Sequence, residues 1–237
     1  MYDIAFISYN ELDAITNYLK LVLSFPHNRV IRIDGVKGIH QAHLAAAKQA
    51  TTNMFYVVDA DADILPEFKF DIRLDPSEED IVHVWTSRNP INQLEYGYGG
   101  VKLLPRQLTL DMDTSKTDMT TSISSRFKSM KEVSNITKFN TDPLSTWRSS
   151  FRECVKLSSQ IIDGQIDTET SERLHTWQYN QSSKPFAEYS RGGASAGAWY
   201  GSTYKNDPEA LYKINDYDWL EGQFHYHIEA YPPETFK

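Results

Sequence analysis

The chain is short of cysteine, of basic charge and of long apolar runs. Its single cysteine, Cys154, excludes an internal disulfide and favours a reducing compartment. No apolar run approaches the roughly 20 residues that span a bilayer, and the N-terminus lacks the basic-then-apolar pattern of a secretory signal. A cytoplasmic location with no membrane partner is therefore expected. Lys and Arg number 24 against 32 Asp and Glu, a net charge of -8, which argues against a protein that coats nucleic acid by bulk electrostatics. Internal repeats and low-complexity linkers are also lacking, so the 237 residues read as one continuous domain, 1–237.

What is present is ordinary for a globular chain, with 40% hydrophobic and 24% charged residues, apart from a high aromatic content of 13%. The charge is unevenly placed. Residues 59–80 hold nine acids and two bases, while residues 120–160 hold seven bases and three acids.

The acidic stretch opens on Phe55-Tyr56-Val57-Val58-Asp59-Ala60-Asp61-Ala62-Asp63-Ile64. Four apolar residues predict a buried strand, and three alternating carboxylates follow at its C-terminal end, the edge at which open α/β sheets bind ligands. Carboxylates massed there repel one another, and a divalent cation with oxygen ligands relieves the repulsion. A calcium loop is excluded: counted from Asp59, position 6 is Ile64 and position 12 is Phe70, where Gly and Glu are required. An idle acidic turn and a metal–diphosphate site both stay open at this point.

Upstream, Tyr2 to Ile7 reads as a strand, Ser8-Tyr9-Asn10-Glu11 as the turn after it, and Leu12, Ile15, Leu19 and Leu23 as the apolar face of a helix. Arg29 to Ile33 is a second strand ending at Asp34-Gly35, and Gly38 to Ala50 an alanine-rich helix carrying His40 and His43. The order β-α-β-α-β predicts a nucleotide-binding half-sheet. It would set the turn at Ser8–Glu11, Asp34 and Asp59 side by side, with Asp34 near a base or ribose and Gly38, His40 and His43 near phosphate. His40 and His43 read equally well as ordinary helix residues.

Downstream, Ile81 to Trp85 reads as a strand, and Tyr98-Gly99-Gly100 as a glycine hinge leading into another, with close approach to a ligand or a plain bulge as its two uses. Residues 106–140 are polar and read as a long loop. Asp142-Pro143 opens a helix on which Arg148, Arg152 and Lys156 form a stripe of like charge, either a phosphate contact or a solvated face. Residues 191–201 read as a small-residue loop. Asp207-Pro208 opens a further helix, running through Asn215, Asp216, Asp218 and Glu221, with His225 and His227 behind it. If that helix is regular, Asp216 and Asp218 point about 200° apart, so one acid alone can serve a single site.

Taken in order, the Ser8–Glu11 turn, Asp34, Val58-Asp59-Ala60-Asp61, the late Asn215-Asp216 and a trailing His resemble the GT-A nucleotide-sugar glycosyltransferases. Two longer stretches, Tyr98-Gly99-Gly100-Val101-Lys102-Leu103-Leu104-Pro105 and Lys138 to Arg148, are similar to bacteriophage DNA glycosyltransferases that act on 5-hydroxymethylcytosine, including arabinosyltransferases and the Tet-associated group. The resemblance implies an α/β fold of Rossmann type, a mixed and mainly parallel sheet flanked by helices. It implies a nucleotide-sugar-binding half over 1–105 and an acceptor half over 106–237.

It also implies roles. Mn²⁺ or Mg²⁺ would sit on Asp61, with Asp63 as the alternative register and His225 or His227 completing the site. Ser8, Tyr9, Asn10, Glu11, Asp34, Gly38, His43 and Asp59 would hold a UDP-sugar donor. Asp216, Asp218 or Glu221 would act as base, Asp216 first, and Asp118 is the fallback. Tyr98, Gly99, Gly100, Arg148, Arg152 and Lys156 would meet a DNA acceptor bearing hydroxymethylated cytosine, in the host cytoplasm for a phage protein. The sugar would be arabinose or glucose. Rival readings are a transferase with a protein or polysaccharide acceptor, a haloacid-dehalogenase-type phosphohydrolase, and a binding module without turnover. The sequence leaves the oligomeric state open.

Overall fold

The computed structural model describes residues 1–97, 99–162 and 164–232. Tyr98, one of the acceptor candidates, lies outside the described residues. The elements run β1 (Asp3–Ser8), α1 (Ala14–Ser24), β2 (Val30–Asp34), α2 (Ile39–Gln49), β3 (Met54–Asp59), β4 (Ala62–Ile64), β5 (Val82–Arg88), β6 (Glu95–Tyr96), β7 (Val101–Pro105), α3 (Arg106–Leu110), α4 (Met119–Ile123), β8 (Phe127–Thr137), α5 (Pro143–Ser159), α6 (Asp167–Tyr179), α7 (Ala187–Thr203), α8 (Pro208–Tyr212) and α9 (Tyr217–Ala230). They fall into two compact units, one of residues 1–89, 95–114 and 122–138, the other of residues 90–94, 115–121 and 139–237. No helix among the described residues is long and apolar enough to cross a membrane.

The first unit is α/β. Its strands form one sheet in the order β2-β1-β3-β7-β5-β8-β4, with β6 paired to β5. β1, β2 and β3 are parallel, as the β-α-β-α-β reading expects. The expectation of a mainly parallel sheet holds only there and between β5 and β8. β7 runs back between β3 and β5, so both of its pairings are antiparallel, as are β4–β8 and β5–β6. Both faces of β1 and β3 are buried, which is why their sequences run apolar without alternation. Ile4, Phe6, Tyr56 and Val58 pack with Ala14 and Leu21 of α1 and with Phe68, Phe70 and Trp85, while α2 contacts β1, β2 and β3.

Helix α1 corrects the face read from the sequence. Leu12, Ile15, Leu19 and Leu23 are exposed. A second stripe of the same helical spacing, Ala14, Tyr18, Leu21 and Phe25, packs inward instead. Ring contacts select it: Tyr18 meets Phe6 at 5.6 Å and Phe25 meets Phe70 at 4.7 Å.

Residues 106–140 are not a loop. They hold α3, α4 and the eleven-residue β8, whose N-terminal half is largely exposed, so the apolar alternation that announces a strand is missing there. A register irregularity against Thr86 breaks the pattern further.

The second unit is helical. The stretch read as a small-residue loop, 191–201, is the body of α7. Gly193, Gly197 and Gly201 recur every four residues on one face. A Cβ on them would stand 2.3 Å from the Trp147 carbonyl oxygen, 2.3 Å from that of Phe151 and 2.5 Å from that of Val155. The glycines let α7 lie against α5 at backbone distance, and that packing outweighs a helix-propensity cost of about 1 kcal/mol per glycine. Trp147, Phe151, Val155, Leu211, Ile214, Leu220 and Phe224 form the core beside it. The helix expected from Asp207 through Glu221 is broken: α8 ends at Tyr212, one 3₁₀ turn covers Lys213–Asn215, and α9 begins afresh at Tyr217.

Candidate functional site

The parallel strands bring Ser8, Asp34 and Asp59 to one edge. Ser8 pairs in register with Asp34, and Ile7 with Asp59. Ser8 Oγ donates to Asp34 Oδ1 at 2.5 Å, and Arg32 Nη2 lies 3.2 Å from the same oxygen. Asn10 takes a left-handed backbone, φ 64°, and the Tyr9 amide donates to Glu11 Oε2 at 2.5 Å, which turns Glu11 back on the strand end. Gly35 donates its amide to the Ser8 carbonyl. Gly38, at φ +96°, caps α2 without a side-chain bond. His43 is fully buried in α2, its Nδ1 2.8 Å from the Ile39 carbonyl oxygen.

The backbone beneath the carboxylates is pinned on both sides. Asp59 donates its amide to Gly100 and Ala60 donates to Ile7, while the Asp61 carbonyl accepts from Lys138 at 2.7 Å. The Ala60 carbonyl accepts from Asn17 Nδ2 at 2.8 Å. The three acids then part. Asp63 is ion-paired with Lys138 and lies 4.0 Å from Lys20. It lines a cavity of about 420 Å³ between α1 and residues 62–69, floored by Phe6, Val58 and Ala62. Asp59 accepts from Lys102 Nζ, 3.0 Å from each carboxylate oxygen. Asp61 has neither arrangement. Burial and the neighbouring Asp59 and Glu11 carboxylates push its carboxyl up to about 7, against the opposing pull of Lys102.

Lys102 is the residue that sequence reasoning passed over. Its side chain is 5% exposed on a central strand, between Val101 and Leu103. Its signal was there: a lone lysine inside an apolar run, which a central strand tolerates only against a partner charge. Of the two glycines ahead of it, Gly99 lies against its side chain and Gly100 against Asn135. A Cβ on Gly99, at φ +107°, would lie 3.2 Å from Lys102 Cε, and one on Gly100 would collide with the Asn135 amide at 2.4 Å. Asn135 cannot retreat, since its Oδ1 accepts from Ser87 and Ser134 and its Nδ2 donates to Thr137.

The other candidates lie in the second unit. Asp216 is the N-cap of α9, and its Oδ1 accepts from the amides of Asp218 and Trp219. Asp216 thus lies just outside the regular helix, and the 200° separation expected between it and Asp218 does not hold. Glu221 and His225 are exposed and 3.8 Å apart. His227 lies against Trp147, ring centres 5.7 Å apart, where burial lowers its imidazole pKa.

The basic stripe of α5 has partners inside the unit. Lys156 Nζ pairs with Asp118 Oδ2 at 2.8 Å. Arg152 donates to the Ile214 carbonyl at 2.8 Å, and Arg148 lies over the Tyr217 ring at 4.3 Å. Asp118 is 5% exposed. Lys156, the Thr120 hydroxyl and the Thr121 amide hold its carboxyl well below the usual carboxylate range.

Among the described residues, no three His, Cys, Asp or Glu side chains gather into a group that could hold a metal ion unaided. Any ion at this edge would find at most Asp61 as an unshared carboxylate, since Asp59 is paired with Lys102 and Asp63 with Lys138.

No family model matches the sequence, and no curated protein matches it. Among solved structures, the crystal structure of HddC from Yersinia pseudotuberculosis is similar over 55% of this chain and 90% of that one, at 13% identity and a TM-score of 0.34. A likeness at that score carries no argument about function.

Proposed function

We propose that the protein is a metal-dependent glycosyltransferase of GT-A type. It would transfer a sugar of the arabinose or glucose kind from a UDP-sugar to the hydroxymethyl group of a modified cytosine in DNA. The observation that carries the reading is the edge of β3. A carboxyl that burial, with Asp59 and Glu11, pushes up to about 7 stands where three parallel strands end, beside Asp59, whose carboxylate is already held by Lys102. A divalent cation with oxygen ligands is the partner that relieves such a crowd of carboxylates.

In this reading Asp61 binds Mn²⁺ or Mg²⁺, and Asp59 and Asp34 face the donor's ribose and base. The Asp59–Asp61 register is favoured because Asp63 is turned to Lys138 and Lys20. When bound, the ion neutralises charge developing on the leaving diphosphate. Asp216, with Asp218 and Glu221 as alternatives, takes the proton from the acceptor hydroxyl. The base is drawn out of the duplex to reach the site.

The test is mass spectrometry of hydroxymethylated DNA after incubation with a panel of nucleotide sugars and Mn²⁺. A mass gain of one sugar on the modified base supports the proposal. Transfer to a protein or polysaccharide alone overturns the acceptor, and phosphate release from a phosphate ester without any sugar transfer overturns the reaction class.

A further inference from the structure

Helix α1 is apolar on two faces, and one of them is bare. Ala14, Tyr18, Leu21 and Phe25 pack into the first unit. Leu12, Ile15, Leu19 and Leu23, on the opposite face, are between 52% and 85% exposed. A helix apolar on both sides is normally a buried one. Large aliphatics left bare in one row mark a contact surface, unlike apolar residues scattered singly. The inner stripe already holds α1 on the sheet, so the outer one has no part in this unit's core.

Spacing and charge together name the occupant. Leu12, Ile15, Leu19 and Leu23 follow one another by three, four and four residues, the spacing of a seam between two helices. The row is nearly symmetric about its middle, so an antiparallel second copy of α1 sets Leu12 against Leu23 and Ile15 against Leu19. The exposed charges beside the row, Asp13 and Lys20, are seven residues apart and so about 20° from each other around the helix. A two-fold axis across an antiparallel pair brings the same flank of both helices together, and Asp13 of each copy then faces Lys20 of the other. Neither charge is committed within the chain. Asp13 stands at the cap position of α1 but makes no side-chain cap bond. Lys20 lies 4.0 Å from Asp63, which Lys138 already pairs. A lipid surface fits less well: Lys20 is the one cation from Glu11 to Phe25, against two acids, where anionic lipid calls for a basic flank.

We propose that the outer face of α1 is the docking surface for a second copy of this chain, the two α1 helices lying antiparallel with Asp13 and Lys20 paired across a two-fold axis. The seam runs about 16 Å and is one helix wide, small beside the roughly 800 Å² per partner of a standard interface. The pair should therefore form and part with concentration. The proposal is independent of the reaction read at the end of β3.

Sedimentation velocity of the full chain across roughly 1–500 µM, a range that brackets micromolar affinity, tests it. The wild type should move from 27.3 kDa toward twice that mass as concentration rises. Leu19→Glu sets a charge in the middle of the seam and keeps a good helix former. It should weaken association by about tenfold or more and leave the melting temperature of the dilute protein unchanged. Asp13→Lys and Lys20→Glu should each weaken association through like-charge contacts. An equimolar mixture of those two variants should recover the wild-type strength, because opposite signs then meet at both contacts. A wild type that stays monomeric throughout overturns the proposal, and its co-sedimentation with anionic vesicles would then assign the stripe to a lipid surface. A dimer indifferent to Leu19→Glu uses another face and overturns it equally. A mixture no stronger than its two components overturns the antiparallel pairing.

Discussion

The acidic edge at the end of β3 and the basic stripe of α5 share one sequence pattern, like charges at regular spacing, and the structure treats them in opposite ways. On α5 each cation has a partner in its own unit: Asp118 for Lys156, the Ile214 carbonyl for Arg152, the Tyr217 ring for Arg148. At the end of β3 the neutralisation is partial. Lys102 takes Asp59, Lys138 takes Asp63, and burial, with the charges of Asp59 and Glu11, pushes the Asp61 carboxyl up to about 7. A repeated charge is therefore ambiguous until its counter-charges are located. Where they are built in, the row is architecture; where one is missing, the row is the place to test for a ligand.

The sharpest way to break the contrast is to remove a built-in partner. Lys156→Met strands the buried Asp118 carboxylate and should destabilise the protein by about 3–5 kcal/mol, the usual cost of breaking a buried pair from one side. Denaturant unfolding at pH 7 measures it. The sign with pH follows from the lowered pKa of Asp118. The pair stabilises fully above the unfolded value of 3.8 and loses its effect as pH falls through the folded one, so the variant's deficit should shrink in strong acid. A deficit below about 1 kcal/mol would make the pair a surface contact and dissolve the comparison.

Next in size is Asp216→Asn. Asparagine caps a helix about as well as aspartate, so stability should change by no more than a few tenths of a kcal/mol. If Asp216 is the base, turnover should fall about a hundredfold or more with donor affinity little altered. Normal turnover with unchanged stability would reduce Asp216 to its cap, leaving Asp218 and Glu221 to be tried in the same assay.

What could be read from the sequence divides along a physical line. The β1-α1-β2-α2-β3 half-sheet was legible because strands buried on both faces run apolar and the turns between them carry their own signals, as at Asp34-Gly35 and Gly38. The helix opening at Asp142 was legible from its cap, whose side chain does accept from the Ser145 amide. β8 was not, since its exposed half has no period to show. Neither was α7, since glycine spaced by four marks a close helix contact only when the partner helix is known. In α1 two apolar stripes compete, and only the rings of Phe6 and Phe70 decide between them. At the site, the acids were visible and their counter-ions were not: Lys102 is 43 residues from Asp59, and pairing at that distance is a property of the sheet.

At the acidic edge the expected change has the opposite sign. Asp61→Asn removes a carboxyl that folding drives toward its protonated form, so it should stabilise the protein at pH 8 by about 1–3 kcal/mol. A raised carboxyl pKa favours the fold fully below the unfolded value of 3.8, and that favour is lost as pH rises through about 7. The gain from Asp61→Asn should therefore vanish near pH 4, in thermal melts recorded across that range without divalent metal. A loss of stability at pH 8 would mean that Asp61 already has a built-in partner, like Asp118.

The smallest effect concerns Arg148, which tests whether anything in the stripe reaches outward. Lys156 and Arg152 are held through their N–H groups, to Asp118 and to the Ile214 carbonyl. Arg148 is held through the face of its guanidinium, 4.3 Å above Tyr217, and stacking of that kind uses none of the N–H donors at the edge. If the acceptor is DNA, Arg148 is the stripe member suited to a phosphate. Arg148→Gln should then lower the slope of log affinity against log salt by about one, alike for every DNA sequence. The lost stacking should cost no more than about 1 kcal/mol of stability. Arg152→Gln, at the next turn of the same helix, should leave the slope unchanged while loosening its bond to Ile214. Equal slopes for both variants and the wild type would assign the whole stripe to the architecture of the second unit and move the search for the acceptor's phosphates to other surfaces.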